Sequence, residues 1–288
     1  MTPLSMPFTF PMNDDQFVKS DSLVQTWLPT IKATDPMPVN TYAELTDMVA
    51  KLAFFNRRHV LFFRGQSEEY CLGSDYPTIY PNFFRKLIKG EAPKEKLKEI
   101  LDSEEEILKI KNHHREPRFH GAFSILESVH IRWALLQHYE ICDTPLVDVT
   151  QSLHVAASFA IINKPKLKDA KGIIYVLALP WPSKNYHNNK TEGLYLVRLA
   201  GITPPQAKRP YRQEAYAAMS INIADKHIDD VRAYDLTNRL VCKFEINNSP
   251  EFWGDAKPLS ESFLVPREDV FYRFMKEDPK TNEVHEVR

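Results

Sequence analysis

Four groups of polar residues in this chain have types and spacings that could do chemistry. The run His59 to Arg64 ends β-branched and aromatic residues on a cation, and a glycine and a glutamine, Gly65 and Gln66, follow at once. A guanidinium at the end of a buried strand meets a carboxylate, a phosphate or a ring of carbonyls, because it is always charged and presents a planar fork of donors. Gly65 there allows a sharp turn or the close approach of a ligand. The second group is Gln137-His138 with Asp148 ten residues on, a spacing at which a carboxylate can fix an imidazole tautomer. The third is Asp148, Thr150 and Ser152, alternating on a short extended segment before a helix. It reads either as a capping cluster or as an anion or ribose site at a helix N-terminus. The fourth is Gln213-Glu214, behind Arg209 and Arg212 and just ahead of a strand. If both are on the strand, alternation lets only one of them face a cleft. A surface salt-bridge cluster is the plainer reading.

The elements that must position these groups are legible in the periodicity. Thr41-x-x-Glu44 is a capping-box pattern, and Tyr42, Leu45, Met48, Val49 and Leu52 then fall on one helical face. A charged helix is expected from Pro93 to about His114, and another from about Ala122 to Tyr139 that delivers the Gln137-His138 pair. A third starts after Thr150 and buries Val155, Ala156, Phe159 and Ala160. After Gly172 the texture changes to runs at Ile173 to Leu179, Leu194 to Leu199, Ala215 to Ile223 and Leu240 to Ile246, which read as strands. The expectation is an α+β fold: a helix-rich N-terminal half packed on a mainly antiparallel sheet built largely from the C-terminal half. Residues 1–38 read as an arm packed through Phe8, Phe10, Trp27 and Leu28, residues 39–275 as the domain, and 276–288 as a polar tail.

Composition removes several classes of function. Hydrophobic residues at 43%, charged residues at 26% and a formal net charge of −1 describe an ordinary globular chain with no global field for nucleic acid or anionic membrane. Eight glycines leave no G-x-G-x-x-G and no G-x-x-x-x-G-K, so neither a Rossmann fingerprint nor a phosphate loop is present. Cys71, Cys142 and Cys242 lie far apart, which speaks against a disulfide framework or thiolate zinc site, and no metal is expected. The basic stretch Lys109 to Arg118, with His113, His114 and His120, lacks metal-ligand spacing and reads as solvated charge. Pro3, Pro7 and Pro11 break the apolar start and no run reaches membrane-span length, so a cytoplasmic location without membrane attachment is expected.

Phe63-Arg64-Gly65-Gln66 resembles the signature of the FRG domain, a family named for that tripeptide. Tyr80-Pro81 with Arg85 is similar to the step that follows it. Gln137-His138-Tyr139 and Thr144 to Thr150, running into Ala156 to Ala160, resemble the central motif, and Arg209 with Gln213 the last one. The resemblance spans roughly residues 60 to 220. Pro145 and Val149 depart from it, standing where the family usually has arginine and tryptophan. A remoter similarity, to arginine-serine-glutamate ADP-ribosyltransferases, implies that fold and NAD as the substrate. By that similarity Arg64 grips the dinucleotide with Gly65 and Gln66 beside it, and Gln137, Asp148, Thr150 and Ser152 line the cofactor site. Glu214 becomes the catalytic acid group, Gln213 orients a protein or nucleic-acid acceptor, and His138 joins the catalytic set. The competing implication is a non-catalytic nucleotide- or RNA-binding sensor. The company the family keeps implies a toxin or phage-defence role.

Overall fold

The computed structural model describes residues 31–57, 59–72, 75–88, 98–103, 105, 128–162, 170–182, 185–189, 193–220, 234–269 and 272–273. Eight strands form one sheet: β1 (Met37–Val39), β2 (Val60–Gln66), β3 (Val147–Thr150), β4 (Lys171–Leu179), β5 (Tyr186–Asn189), β6 (Leu194–Arg198), β7 (Ala215–Ser220) and β8 (Leu240–Asn247). Their order is β1-β8-β4-β2-β3-β7-β6-β5, antiparallel throughout except for β1 against β8. The fold is α+β, and five of the eight strands come from residue 171 onward. The first long strand does return to the middle of that sheet, with β2 between β4 and β3.

Strand β4 is buried from Gly172 to Leu179, so both its faces are covered and its sequence is an unbroken apolar run. Alternation sorts the neighbouring strands into two faces. Phe63, Ile174, Val176, Phe244, Ala215 and Ala217 look toward the helices, whereas Phe62, Tyr175, Leu177, Val147, Val149, Tyr216 and Ala218 form the core of the opposite face. On the helical face, α1 (Tyr42–Phe55) packs over the β8-β4-β2 half through Leu45 and Leu52. Thr41 accepts the Glu44 N–H at 3.1 Å, and the Glu44 carboxylate takes the Asn40 N–H at 3.0 Å, one residue earlier than an ideal capping box. Helices α2 (Asn82–Ile88) and α3 (Val129–His138) cover the other half through Phe83, Phe84, Leu135 and Leu136. Between the two halves lies α4 (Leu153–Ile161), whose Ala156, Ala157 and Ala160 let it settle directly onto β2 and β4. Further short helices among the described residues include α5 (Lys208–Arg212), α6 (Pro250–Trp253) and α7 (Glu261–Leu264).

Several elements differ from the sequence expectation. Met37 and Pro38, read as the end of an arm, belong to edge strand β1, where a proline costs no ladder bond that a neighbour needs. Strand β5 is polar, Tyr-His-Asn-Asn, and carries no alternation to find. Of the expected charged helix, residues 98–103 are helical, and the helix expected over 122–139 is seen as α3. The arm residues Phe8, Phe10, Trp27 and Leu28, the basic stretch Lys109 to Arg118, His120 and the tail 276–288 lie outside the described residues.

Candidate functional site: an arginine at a strand junction

Strand β3 is only four residues long and pairs with β2 at one position, Phe63 opposite Thr150, while β2 pairs with β4 over seven. Side-chain bonds supply what the short ladder does not. The Thr150 hydroxyl donates to the Gln213 carbonyl at 2.8 Å, lies 3.3 Å from that of Glu214, and accepts the Ser152 N–H at 3.0 Å. Ser152 caps α4 by accepting from Val155 N–H. Both hydroxyls that the resemblance assigns to the cofactor site are thus committed to main-chain groups. Gln137 is committed too, its Oε1 accepting the Thr144 N–H at 3.1 Å and lying 3.2 Å from the Thr144 hydroxyl.

His138 and Asp148 do meet, Nδ1 to Oδ1 at 3.2 Å, across the packing of α3 on β3. The imidazole is 1% exposed and the carboxylate 34%. Burial pushes the His138 pKa down, against the opposing bond and charge of Asp148. A neutral ring bonded to a carboxylate carries its proton on Nδ1, which leaves Nε2 as a buried acceptor with no partner among the described residues. Asp148 is reached from outside, and His138 stands behind it.

Gln213 and Glu214 are not on a strand, which corrects the alternation argument: β7 begins at Ala215. Gln213 closes α5 as its C-cap, is buried, and donates from Nε2 to the Leu264 carbonyl at 2.8 Å. Glu214 takes the left-handed position after the cap, with φ 43°, where glycine is usual. Its side chain is exposed. Glu140 ends α3 in the same way, with φ 56°, and its carboxylate pairs with the buried Arg209. Arg209 also donates its N–H to Asp269 at 2.7 Å, and Asp269 is fully buried under Tyr139 and Tyr272. Gln213 therefore fastens α5 to the end of α7, and Arg209 fastens it to the segment that follows.

The opposite face holds a different set. By alternation Arg64 and Gln66 leave β2 beside Phe62, and Arg64 is paired across the ladder with Tyr175 of β4, itself opposite Lys243 of β8. Asp148 and Thr150 leave β3 on the helical face, so Arg64 meets Asp148 through the main chain: Nη1 donates to the Asp148 carbonyl at 2.7 Å. No described carboxylate forms a salt bridge with Arg64. Burial lowers its pKa most, the Asp148 charge opposes that, and the Arg85 charge adds to it. Arg85 reaches the Tyr80 carbonyl from Nε at 3.0 Å and lies over the Tyr70 ring at 5.8 Å. Next along the row, Tyr216 packs edge-on against Phe62 and donates to Gln151 Oε1 at 2.9 Å. Burial raises the Tyr216 pKa, and the Arg198 and Glu214 charges act on it with opposite signs.

Gly65 has another task than the one read from the sequence. It sits inside β2, not at a turn, and a Cβ there would lie 1.9 Å from the Ala156 carbonyl oxygen of α4. Gly172 is pressed by Ala160 in the same way, at 2.5 Å from its carbonyl oxygen. The glycine admits a helix, and the space it leaves is already filled. Sequence reasoning also missed Tyr175 as a neighbour of Arg64, because one tyrosine in the run Ile173 to Leu179 carries no separate signal. Arg85 was visible only as part of a motif. No group of three His, Cys, Asp or Glu residues is placed to hold a metal ion among the described residues.

Among known families, the model of the FRG domain matches residues 59–169, rather less than half of the chain. That span contains Arg64, Gln66, Arg85, Gln137, His138, Asp148, Thr150 and Ser152, and ends before Arg209, Gln213 and Glu214. No curated protein and no solved structure matches the chain. No helix among the described residues is long and apolar enough to cross a membrane.

Proposed function

We propose that the protein binds NAD at Arg64 and transfers its ADP-ribose to a macromolecular acceptor. The observation that carries this is the state of Arg64. Arg64 is half-buried within β2, its guanidinium holds one main-chain carbonyl, and among the described residues it has no carboxylate partner and its Nε is unbonded. A structural cation so placed would be paired; one awaiting a diphosphate would not. Glu214 is the acid this reading uses, since it is exposed and acts electrostatically on Tyr216, on Arg64's face of the sheet. Its carboxylate would bond a ribose hydroxyl and stabilise positive charge at the anomeric carbon as the C–N bond to nicotinamide breaks. The bonding pair leaves with nicotinamide, and the acceptor attacks the anomeric carbon and loses its proton. Gln213 has no part in this step, since its amide serves Leu264, and His138 acts only by holding Asp148.

The consumption of the Thr150 and Ser152 hydroxyls favours a second reading, a nucleotide-binding module without transfer. Incubation with labelled NAD and mixed protein and nucleic-acid acceptors separates the two. The transferase reading requires nicotinamide release that falls at least about a hundredfold in Glu214→Gln with NAD affinity kept. Binding with no release across the panel leaves the module.

A further inference from the structure

Strand β2 ends at Gln66, and the chain that leaves it turns back over the sheet. Glu69, three residues later, accepts from Lys243 Nζ of β8 at 2.7 Å. Arg64, Tyr175 and Lys243 are directly opposed across β2, β4 and β8 and share one face, so Lys243 lies two strands from Arg64 with Tyr175 between them. Three residues span at most about 10 Å, roughly two strand spacings, so the segment from Ser67 to Glu69 has to turn toward β8 over β4. Tyr175 is 0% exposed on the face so covered. Burial raises the Tyr175 pKa most, and the Glu69 and Cys71 charges add to it. Beyond Glu69 the chain closes on itself: the Tyr70 carbonyl accepts the Thr78 N–H at 2.8 Å and the Thr78 hydroxyl at 3.2 Å. The far end is moored where Ile79 N–H donates to Asp235 at 2.9 Å.

The contacts that hold this segment down are unlike those of the core. From Ser67 to Leu72 no side chain is buried, and the grip on the sheet is the Glu69–Lys243 ion pair, with the carboxylate 26% exposed and the ammonium 3%. A segment with so little buried apolar surface opens at less cost than the domain unfolds. The closed position carries a cost of its own. Tyr175 Oη, Gln66 Oε1 and Arg64 Nε are sealed without a hydrogen bond to any described residue, and water would supply those bonds on opening. One ion pair therefore opposes several unmade bonds, the balance that a two-position element requires. Lys243 also donates to the Lys32 carbonyl at 3.1 Å, a bond in which this segment has no part. We infer that Ser67–Leu72 is a strap latched over the Arg64–Tyr175 row by Glu69 and Lys243, and that it lifts to admit a ligand to Arg64. The inference rests on the reading of Arg64 as the NAD contact and adds the gate that regulates access to it.

Hydrogen exchange, phenylglyoxal labelling and NAD binding test this on the full chain, in wild type, Glu69→Ala and Lys243→Met. The two variants break the latch from opposite sides, and methionine suits the buried position that Lys243 holds in β8. Exchange of the Thr78 N–H and labelling of Arg64, both resolved by peptide mass, should speed up by about tenfold or more in each variant, the scale of one charge-assisted hydrogen bond. Amides of β4 and β8 should keep their protection. NAD should bind both variants faster and more tightly than wild type, since the competent position is more populated. Unchanged Thr78 exchange and Arg64 labelling in both variants would overturn the strap, and so would an acceleration that β4 and β8 share, which is unfolding of the domain. The reading of Arg64 fails separately. Faster exchange and labelling with no NAD bound by any form keeps the strap and removes the NAD contact; NAD bound equally by all three forms, with neither rate changed, does the reverse.

Discussion

Replacing Gly65 with alanine separates a packing glycine from a ligand-admitting one. The added methyl would stand 1.9 Å from Ala156 O, 2.7 Å from Ala160 N and 2.9 Å from Ala156 C, all main-chain atoms of α4. Since Cβ atoms essentially never approach closer than 3.0 Å, the helix would have to retreat by 3.0 − 1.9 = 1.1 Å along its whole contact. That retreat loosens Val155, Ala156, Ala157, Ala160 and Ile161 from the sheet. Overpacking costs about 1–3 kcal/mol where side chains can give way, and here the obstacle is backbone, so a loss of at least about 3 kcal/mol is expected. At roughly 2–4 °C per kcal/mol for a domain of this class, the melting temperature should fall by about 6–12 °C. Gly254→Ala is the comparison without packing: nothing lies within 4 Å of the new methyl, and the φ of 54° with ψ of −124° imposes backbone strain alone, about 1–3 kcal/mol. Differential scanning fluorimetry on both variants reads the contrast. If Gly65→Ala melts within about 2 °C of wild type while losing NAD or ADP binding, the helix-packing account is wrong and the glycine serves the ligand.

Three further outcomes follow from the buried polar bonds. Gln213→Leu strands the Leu264 carbonyl and should cost about 1–3 kcal/mol in denaturant melts, whereas Glu214→Gln, at an exposed side chain, should leave stability unchanged. Equal destabilisation by the two would refute the division of roles. Asp235→Ala removes the acceptor shared by Ile79 N–H, Thr237 N–H, Thr237 Oγ1 and Lys32, and should lower the unfolding free energy by about 3–5 kcal/mol; a change below about 1 would show that these bonds re-form to water. Burial holds the His138 pKa below its ordinary value of about 6.5, so the unfolded chain takes up the proton first as the pH drops. The His138 contribution is whole above about pH 6.5 and drains below it. Imidazole NMR that showed His138 titrating at or above 6.5 would contradict this.

What the sequence disclosed follows physical lines. Strands β2, β4, β6, β7 and β8 announced themselves because burial enforces apolar runs, and the capping box announced α1. Polar β5 and three-residue β1 gave no such sign, being edges that need only one partner. The chemistry-bearing residues were found as residues but not as arrangements. Alternation from β2 and β3 puts Arg64 and the Asp148-Thr150 pair on opposite faces of the sheet, and this depended on a register that only the pairing of Phe63 with Thr150 fixes. Likewise the sequence puts Gln213 just ahead of a strand but does not show it as a helix cap, because Lys208 to Arg212 is too short to read as a helix.

The motif residues acquire a common purpose when their bonds are followed. Thr150 ties the end of β3 to Gln213 and Glu214, Gln137 ties the approach to β3 to α3, and Ser152 starts the helix that Gly65 admits. Each compensates for a strand too short to hold itself by its ladder. A longer β3 paired fully with β2 would give the Asp148 carbonyl to a backbone N–H, and the Arg64 guanidinium would lose this hydrogen bond and its anchor at the junction. The fasteners thus hold open the place where a cation can sit half-buried without a counter-charge. In this chain most of the motif residues build that junction, and under the proposed function the chemistry falls to the few polar groups beside it that the fold does not use.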